Sequence, residues 1–141
     1  MKDLEKILEL TRSVGWGATD ILRSYYHQTG DYNLEVQYKQ NEPVTIADVN
    51  VNNYILENLQ AALGHDDFAY ISEETYKVEQ AKQEWVWIID PLDGTRDFIE
   101  KTGEYAIHIA LVQETRPVLA VVAVPEAQKL YYAIKGGGAF V

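Results

Sequence analysis

The spacing of apolar residues predicts a long helix at the start of the chain. From Leu4 to Tyr25 apolar residues recur at three- and four-residue intervals, the pattern of an amphipathic helix. Gly15 and Gly17 lie within this stretch, where they either bend the helix or allow close packing against it. Gly30–Asp31 is predicted to end it.

A second apolar pattern predicts another helix from about Ile46 to Leu63. Thr45 is a suitable N-cap because its side-chain oxygen can accept a hydrogen bond from the first helical turn. Gly64 is predicted to stop this helix. Between the two helices, Leu34–Lys39 alternates between apolar and polar residues, which predicts a half-buried strand.

The second half of the chain has the pattern of strands. Trp85–Ile89 is an uninterrupted apolar run, which predicts a strand covered on both faces and ended by Pro91. Further strands are predicted at Asp67–Ile71, Tyr105–Val112, Val118–Val124 and Leu130–Ile134. Because helices come first and an antiparallel meander comes last, we expect one α+β domain over residues 1–141, with two N-terminal helices packed on a largely antiparallel sheet.

The composition narrows the classes of function. The 141-residue chain contains no cysteine, which excludes disulfides and thiolate metal sites. Its formal charge of −10 argues against binding to nucleic acid polymers or to anionic membranes. It contains no apolar stretch near the ~20 residues that span a bilayer, and its first residues begin an amphipathic pattern rather than a signal sequence. We therefore expect a cytoplasmic protein with no membrane or nucleic acid partner.

Three separated segments supply oxygen-bearing side chains. They are Thr45 with Asp48, Glu73–Glu74, and Asp90–Thr95. Taken singly, the first is typical of a helix cap, the second of a solvated acidic pair and the third of an ordinary turn. However, Asp90 and Asp93 follow an apolar strand that fixes their position, and two close carboxylates repel each other unless a cation neutralises them. A hard divalent cation such as Mg²⁺, which binds through a few carboxylates, water and phosphate, fits this pattern.

In combination, these segments resemble a known family. Glu42–Asp48, Ser72–Glu74 and Trp87–Thr95 resemble the three N-terminal motifs of the magnesium-dependent, lithium-sensitive phosphomonoesterases that include inositol monophosphatase. Arg96–Ile99 followed by Gly103–Glu104 is most similar to the 3′(2′),5′-bisphosphate nucleotidases, which remove a phosphate from 3′-phosphoadenosine 5′-phosphate. The resemblance implies the N-terminal domain of the layered αβαβα sugar-phosphatase fold and a hydrolase that acts on a small phosphorylated metabolite. An inositol-1-monophosphatase or a related sugar phosphatase is the alternative.

The resemblance also implies a set of ligands for two or three magnesium ions. Glu73, Asp90 and the backbone carbonyl of Leu92 would hold the first ion. Asp90 would bridge to a second ion that Asp93 also binds, and Glu73 would help to hold a third.

The remaining roles that the resemblance implies concern the phosphate and the attacking water. Gly94 and Thr95 would present backbone amides to the substrate phosphate, at the start of a short helix. The Thr95 hydroxyl, paired with Asp48, would take the proton of a metal-bound water that attacks phosphorus in line. Thr45 and Glu74 would orient these groups from a second layer.

Members of this family have a second, C-terminal α/β domain that supplies another aspartate and most substrate contacts. This chain ends at Val141, so we expect it to carry the N-terminal part of an active site. We also expect apolar surface that favours self-association or a C-terminal partner domain. The alternative from another class is a non-catalytic binding or assembly module. We expect the three histidines, His27, His65 and His108, to lie outside the site.

Overall fold

The computed structural model describes residues 2–28, 37–39, 42–72 and 83–141. The helices of this part are α1 (Leu4–Tyr26), α2 (Ile46–Leu63) and α3 (Thr95–Glu100). The strands are β1 (Gln37–Lys39), β2 (Glu42–Val44), β3 (Phe68–Ser72), β4 (Trp85–Asp93), β5 (Ala106–Gln113), β6 (Arg116–Val124), β7 (Lys129–Ile134) and β8 (Gly138–Phe140). A short 3₁₀ turn, Pro125–Ala127, joins β6 to β7.

Six strands form one sheet in the order β3-β4-β5-β6-β7-β8, while β1 and β2 pair separately. The β3–β4 pair is parallel and every other pair is antiparallel. Helix α1 packs on β5 to β7, and α2 packs on β3 and β4. The predicted α+β class, with two N-terminal helices on a largely antiparallel sheet, is therefore confirmed. Strand β1 coincides with the described part of the predicted strand Leu34–Lys39, whose first three residues lie outside the described residues. The β2 and β8 strands were not predicted, because strands of three residues carry too little periodicity.

The two long helices cover a single face of this sheet. On β4, Trp87 and Ile89 point into the core and are almost fully buried, whereas Ile88 between them is 49% exposed. Their partners on β5 and β6 follow the same alternation, because paired residues point to the same side. The prediction that the tryptophan strand is covered on both faces is thus wrong for the described residues, whose long helices all lie on one side.

Helix α1 is continuous and ends at Tyr26, before the predicted end near Gly30–Asp31, which lies outside the described residues. Its two glycines serve close packing. A Cβ at Gly15 would lie 3.1 Å from side-chain atoms of Val121 and Leu130, and one at Gly17 would overlap the Tyr54 ring of α2. No helix in the described part of the chain is both long and apolar enough to cross a membrane.

The end of β4 differs from the prediction in a way that matters for the site. Pro91 does not end the strand, which continues to Asp93 through a shift in register. Asp90 pairs with His108 and Asp93 pairs with Ala106, so three steps on β4 match two steps on β5. A bulge of this kind tolerates proline, which cannot donate to the ladder. It also brings Asp90 and Asp93 to the same face, whereas residues three apart in a regular strand point to opposite faces.

Candidate active site

The turn between β4 and α3 carries most of the predicted site. Gly94 connects the two elements in a left-handed conformation, with φ of +90°, which residues with a side chain rarely adopt. A Cβ at Gly94 would lie 2.7 Å from the backbone carbonyl oxygen of Glu104. Glycine at position 94 is therefore required by both conformation and space.

Asp90 stabilises the bulge, since its Oδ1 accepts a hydrogen bond of 3.3 Å from the Leu92 amide.

The N-terminus of α2 reaches the same turn through a buried capping box. Asp48 Oδ2 accepts hydrogen bonds from the Thr45 amide (2.8 Å) and the Thr45 hydroxyl (2.5 Å), and the Asp48 amide donates to Thr45 Oγ1 (3.2 Å). The predicted N-cap at Thr45 is confirmed. Both residues are almost completely buried, so the capping box fixes the Asp48 side chain.

The Asp48 carboxylate also contacts the turn itself. Thr95 Oγ1 lies 3.0 Å from Asp48 Oδ1, although the two residues are 47 positions apart in sequence. The same hydroxyl lies 3.2 Å from the carbonyl oxygen of Leu92. One hydroxyl proton can serve only one acceptor fully at a time. If a cation bound the Leu92 carbonyl oxygen, the Thr95 hydroxyl would donate its proton to Asp48. The lone pairs of Thr95 Oγ1 would then be available to accept a hydrogen bond from a water molecule.

The environment of Asp48 changes its proton affinity. Burial raises the pKa of the Asp48 carboxyl above its ordinary range, because the charged form loses hydration. Hydrogen bonds from Thr45 and Thr95 favour the charged form and offset part of that rise. A carboxylate with a raised pKa accepts a proton more readily, which suits a group that receives one from Thr95.

The oxygen atoms at the end of β4 are of the type that magnesium binds. The predicted ligands here are the carboxylates of Asp90 and Asp93 and the Leu92 carbonyl, all hard oxygen donors. The Asp93 side chain is 62% exposed, so it is accessible to a hydrated ion. The other predicted acids, Glu73 and Glu74, lie outside the described residues. Within residues 2–28, 37–39, 42–72 and 83–141, no three acidic or histidine side chains come together closely enough to hold a metal ion, so the complete ligand set stays a prediction.

His108 lies beside the predicted ligands, although sequence reasoning placed it outside the site. Its Nε2 is 3.0 Å from Asp93 Oδ2. One signal could have indicated this: His108 is the single polar residue between Ile107 and Ala110 on a predicted strand. The β4–β5 register that places it next to Asp90 and Asp93 could not be read from the sequence alone.

Asp97 lies in the first turn of α3, and its hydrogen bonds hold the residues that follow the helix. Its Oδ1 accepts a hydrogen bond of 2.8 Å from the Thr102 hydroxyl, and its carbonyl accepts one from the Thr102 amide. This pair closes the last turn of α3. Asp97 belongs to the segment that resembles the bisphosphate nucleotidases. Its Oδ1 atom therefore stabilises the turn after α3 and is not directed at a ligand.

Comparisons with known proteins identify the family of this chain. Residues 3–141 match the sequence profile of the inositol monophosphatase family, and the chain belongs to that family. It is 37% identical over 136 residues to the 3′(2′),5′-bisphosphate nucleotidase CysQ of Salmonella typhimurium, a match that covers 94% of this chain and 52% of that protein. The corresponding enzyme of Aggregatibacter actinomycetemcomitans is 34% identical, with 97% of this chain and 49% of that protein covered.

Solved structures show the same relationship. CysQ from Bacteroides thetaiotaomicron, described as a bacterial member of the inositol monophosphatase family, superposes with a TM-score of 0.77 at 33% identity, over 95% of this chain and 48% of that one. The extragenic suppressor protein SuhB from Bartonella henselae superposes with a TM-score of 0.82 at 26% identity, over 96% of this chain and 50% of that one. The chain thus spans about half the length of the relatives it matches.

Proposed function

We propose that this chain carries the N-terminal part of the active site of a magnesium-dependent phosphomonoester hydrolase that acts on 3′-phosphoadenosine 5′-phosphate. One observation carries the proposal. The buried Thr45–Asp48 capping box is joined to Thr95 by a hydrogen bond of 3.0 Å, directly beside the bulge that holds Asp90 and Asp93. Its sequence relatives, named as 3′(2′),5′-bisphosphate nucleotidases, support the choice of substrate.

Residues of β4 would hold magnesium in this proposal. Asp90 and the Leu92 carbonyl, with Glu73, would bind one ion, and Asp90 with Asp93 would bind another. Glu73 would contribute to a third, and Glu74 would orient the ligands. When bound, magnesium neutralises phosphate charge and makes a water molecule acidic near neutral pH. The exposure of Asp93 and the purely oxygen character of the β4 donors support this choice of metal.

Thr95 and Asp48 would form the path for the proton of the attacking water. Thr95 Oγ1 accepts the proton from water while its own proton passes to Asp48 Oδ1. Thr45 keeps Asp48 in place because it saturates the other carboxylate oxygen with two hydrogen bonds. Such proton transfer by positioned groups contributes about 10²- to 10⁴-fold to the rates of enzymes.

Gly94 and Thr95 would bind the substrate phosphate through their backbone amides. The first hydrogen bond within α3 runs from the Phe98 amide to the Gly94 carbonyl, at 2.9 Å. Amides that precede Phe98 are therefore not used by the helix ladder and can point toward an anion. The absence of a side chain at Gly94 lets a phosphate approach the backbone closely.

A C-terminal partner domain, or association with a second copy, would supply the opposite wall of the site. The family resemblance implies that this wall contributes another aspartate and the contacts to the nucleoside. The open face of the sheet, with Ile88 49% exposed, offers apolar surface for such a partner.

An inositol-1-monophosphatase is the second candidate. Structural similarity favours it: a staphylococcal inositol monophosphatase complexed with products superposes with a TM-score of 0.82 at 25% identity, over 99% of this chain and 51% of that one. That superposition is closer than the one on the Bacteroides CysQ, with a TM-score of 0.77, although the latter is more similar in sequence.

A phosphate-release assay with magnesium tests the proposal on 3′-phosphoadenosine 5′-phosphate and on inositol 1-phosphate. We expect preferential release from the nucleotide. Thr95→Ala should reduce turnover about 100-fold or more and Thr95→Ser should restore most of it, because serine keeps the hydroxyl. Thr115→Ala is the matched control, since Thr115 lies in the turn between β5 and β6, away from the site.

Preference for inositol 1-phosphate would favour the second candidate. Release from neither substrate at high protein concentration would contradict activity of the 141-residue form and favour a non-catalytic module. Equal turnover in Thr95→Ala and the wild type would rule out the proposed proton path.

A further inference from the structure

His108 and Asp93 face each other because of the bulge in β4. Asp93 pairs with Ala106, and His108 lies two residues further along β5 on the same side of the sheet. The extra residue in β4 moves the Asp93 side chain to this side and within reach of the imidazole. The contact thus depends on the same irregularity that shapes the predicted metal site.

The contact is a hydrogen bond from the imidazole to the carboxylate. His108 Nε2 lies 3.0 Å from Asp93 Oδ2; because an ionised carboxylate can only accept, the contact is a hydrogen bond in the tautomer that carries a proton on Nε2. The two side chains are 42% and 62% exposed. An exposed pair of this kind contributes little to folding stability. Its consequence is therefore orientation: among the described residues, no other side-chain hydrogen bond fixes Asp93.

We propose that His108 is a positioning residue for Asp93. The imidazole holds Oδ2, restricts the carboxylate to one orientation and presents Oδ1 to a divalent cation. This inference rests on the proposed function, in which Asp93 binds magnesium. Partners that orient a metal-binding carboxylate typically change metal affinity by about 10- to 100-fold. His108 would thereby tune the affinity of the ion that Asp93 holds.

A direct bond from His108 to the metal is the competing arrangement. Neighbouring ligands around an octahedral ion, with bonds of about 2.1 Å, are separated by about 3 Å, close to the observed distance between Nε2 and Oδ2. A nitrogen ligand would favour transition metals over magnesium. The two arrangements differ in whether the imidazole nitrogen contacts the ion.

Calorimetric titration of the 141-residue chain with magnesium tests the positioning role. We expect His108→Ala to weaken binding about 10-fold or more. Asp93→Asn should also weaken binding without unfolding the chain, and His108→Ala added to Asp93→Asn should cause no further loss, because the imidazole acts through Asp93. His65→Ala is the matched control, since His65 precedes β3 and its ring packs against Tyr70, away from Asp93. Melting temperatures should not change in the His108 and His65 variants.

Two spectroscopic readouts complete the test. In metal-free protein, nitrogen NMR should show a proton on His108 Nε2, and the Nε2 chemical shift should change in Asp93→Asn because the acceptor is altered. With Mn²⁺ as the probe, electron spin echo modulation should show no directly coordinated nitrogen, and such a signal that disappears in His108→Ala would overturn the proposal.

Unchanged magnesium affinity in His108→Ala would also overturn the positioning role while leaving the proposed metal site intact. No binding of magnesium by the wild type would instead contradict the proposed metal site and the positioning role together. The two failures are therefore distinguishable.

Discussion

Asp48 shows how one buried carboxylate joins a structural role to a chemical one. Its Oδ2 completes the capping box of α2 with Thr45, and its Oδ1 receives the Thr95 hydroxyl. The structural role was predictable from sequence, because a threonine followed three residues later by an acid is a local pattern. The contact with Thr95 spans 47 residues and was implied only by the family resemblance.

The raised pKa of Asp48 gives a testable pH dependence of stability. When folding raises a carboxyl pKa, the protonated form is favoured in the folded state, so this contribution is complete below the unfolded pKa of about 3.9. It is lost as pH rises through the higher folded pKa. Asp48→Asn does not ionise, so the stability of the wild type relative to Asp48→Asn should fall as pH rises from about 4 to 7.

Urea unfolding of both proteins across this pH range measures the difference. The Asn side chain can change the free energy of unfolding by a constant amount at every pH. Such a constant cancels when the differences at two pH values are compared. Asp20→Asn, on the exposed side of α1, is the matched substitution outside the site. A wild type that gains stability relative to Asp48→Asn as pH rises would contradict the direction of the pKa shift.

Individual elements were predictable where local chemistry determines them. Helix α2 begins and ends as predicted because Thr45 caps it and Gly64 stops it. The end of β4 was not predictable. Whether the strand stops at Pro91 or forms a bulge depends on its register with β5, and a local sequence pattern does not contain that register. The bulge in turn decides that Asp90 and Asp93 share one face of the sheet.

The junction of β4 and α3 gives a prediction at the level of elements. Gly94→Ala should destabilise the fold by about 3 kcal/mol or more. The left-handed backbone costs about 1–2 kcal/mol for a residue with a Cβ, and the contact of 2.7 Å with the Glu104 carbonyl adds strain because that oxygen belongs to the backbone. Gly136→Ala is the matched control. Its φ is +77°, but no atom lies within 4 Å of the position that its Cβ would take, so only the conformational cost applies.

Urea or thermal unfolding of the two alanine variants measures this difference. Equal destabilisation would mean that the backbone at Glu104 moves aside without cost. In that case α3 would not be held rigidly against the loop before β5, and the precise placement of the Gly94 and Thr95 amides would need another explanation.

At the scale of the whole molecule, the described residues form a sheet with helices on one face and an open second face. The helices cover the side that carries Trp87, while Ile88 and Tyr131 on the other side are 49% and 44% exposed. Because members of the family have a second domain, the sequence allowed the prediction that apolar surface is exposed. It could not assign that surface to a sheet face, because the uninterrupted apolar run of β4 carries no alternation that separates a covered side from an open one.

Self-association of the 141-residue chain through this face is the prediction at this scale. Burial of apolar area favours association, while a formal charge of −10 on each copy opposes it. Salt screens the repulsion but not the apolar contact, so the average mass in sedimentation equilibrium should rise with protein concentration and rise further with added salt. Ile88→Gln should reduce association at constant charge. Trp16→Gln, which removes a similarly exposed apolar side chain from α1, should not. A monomer under all these conditions would contradict self-association and favour a partner domain as the occupant of the open face.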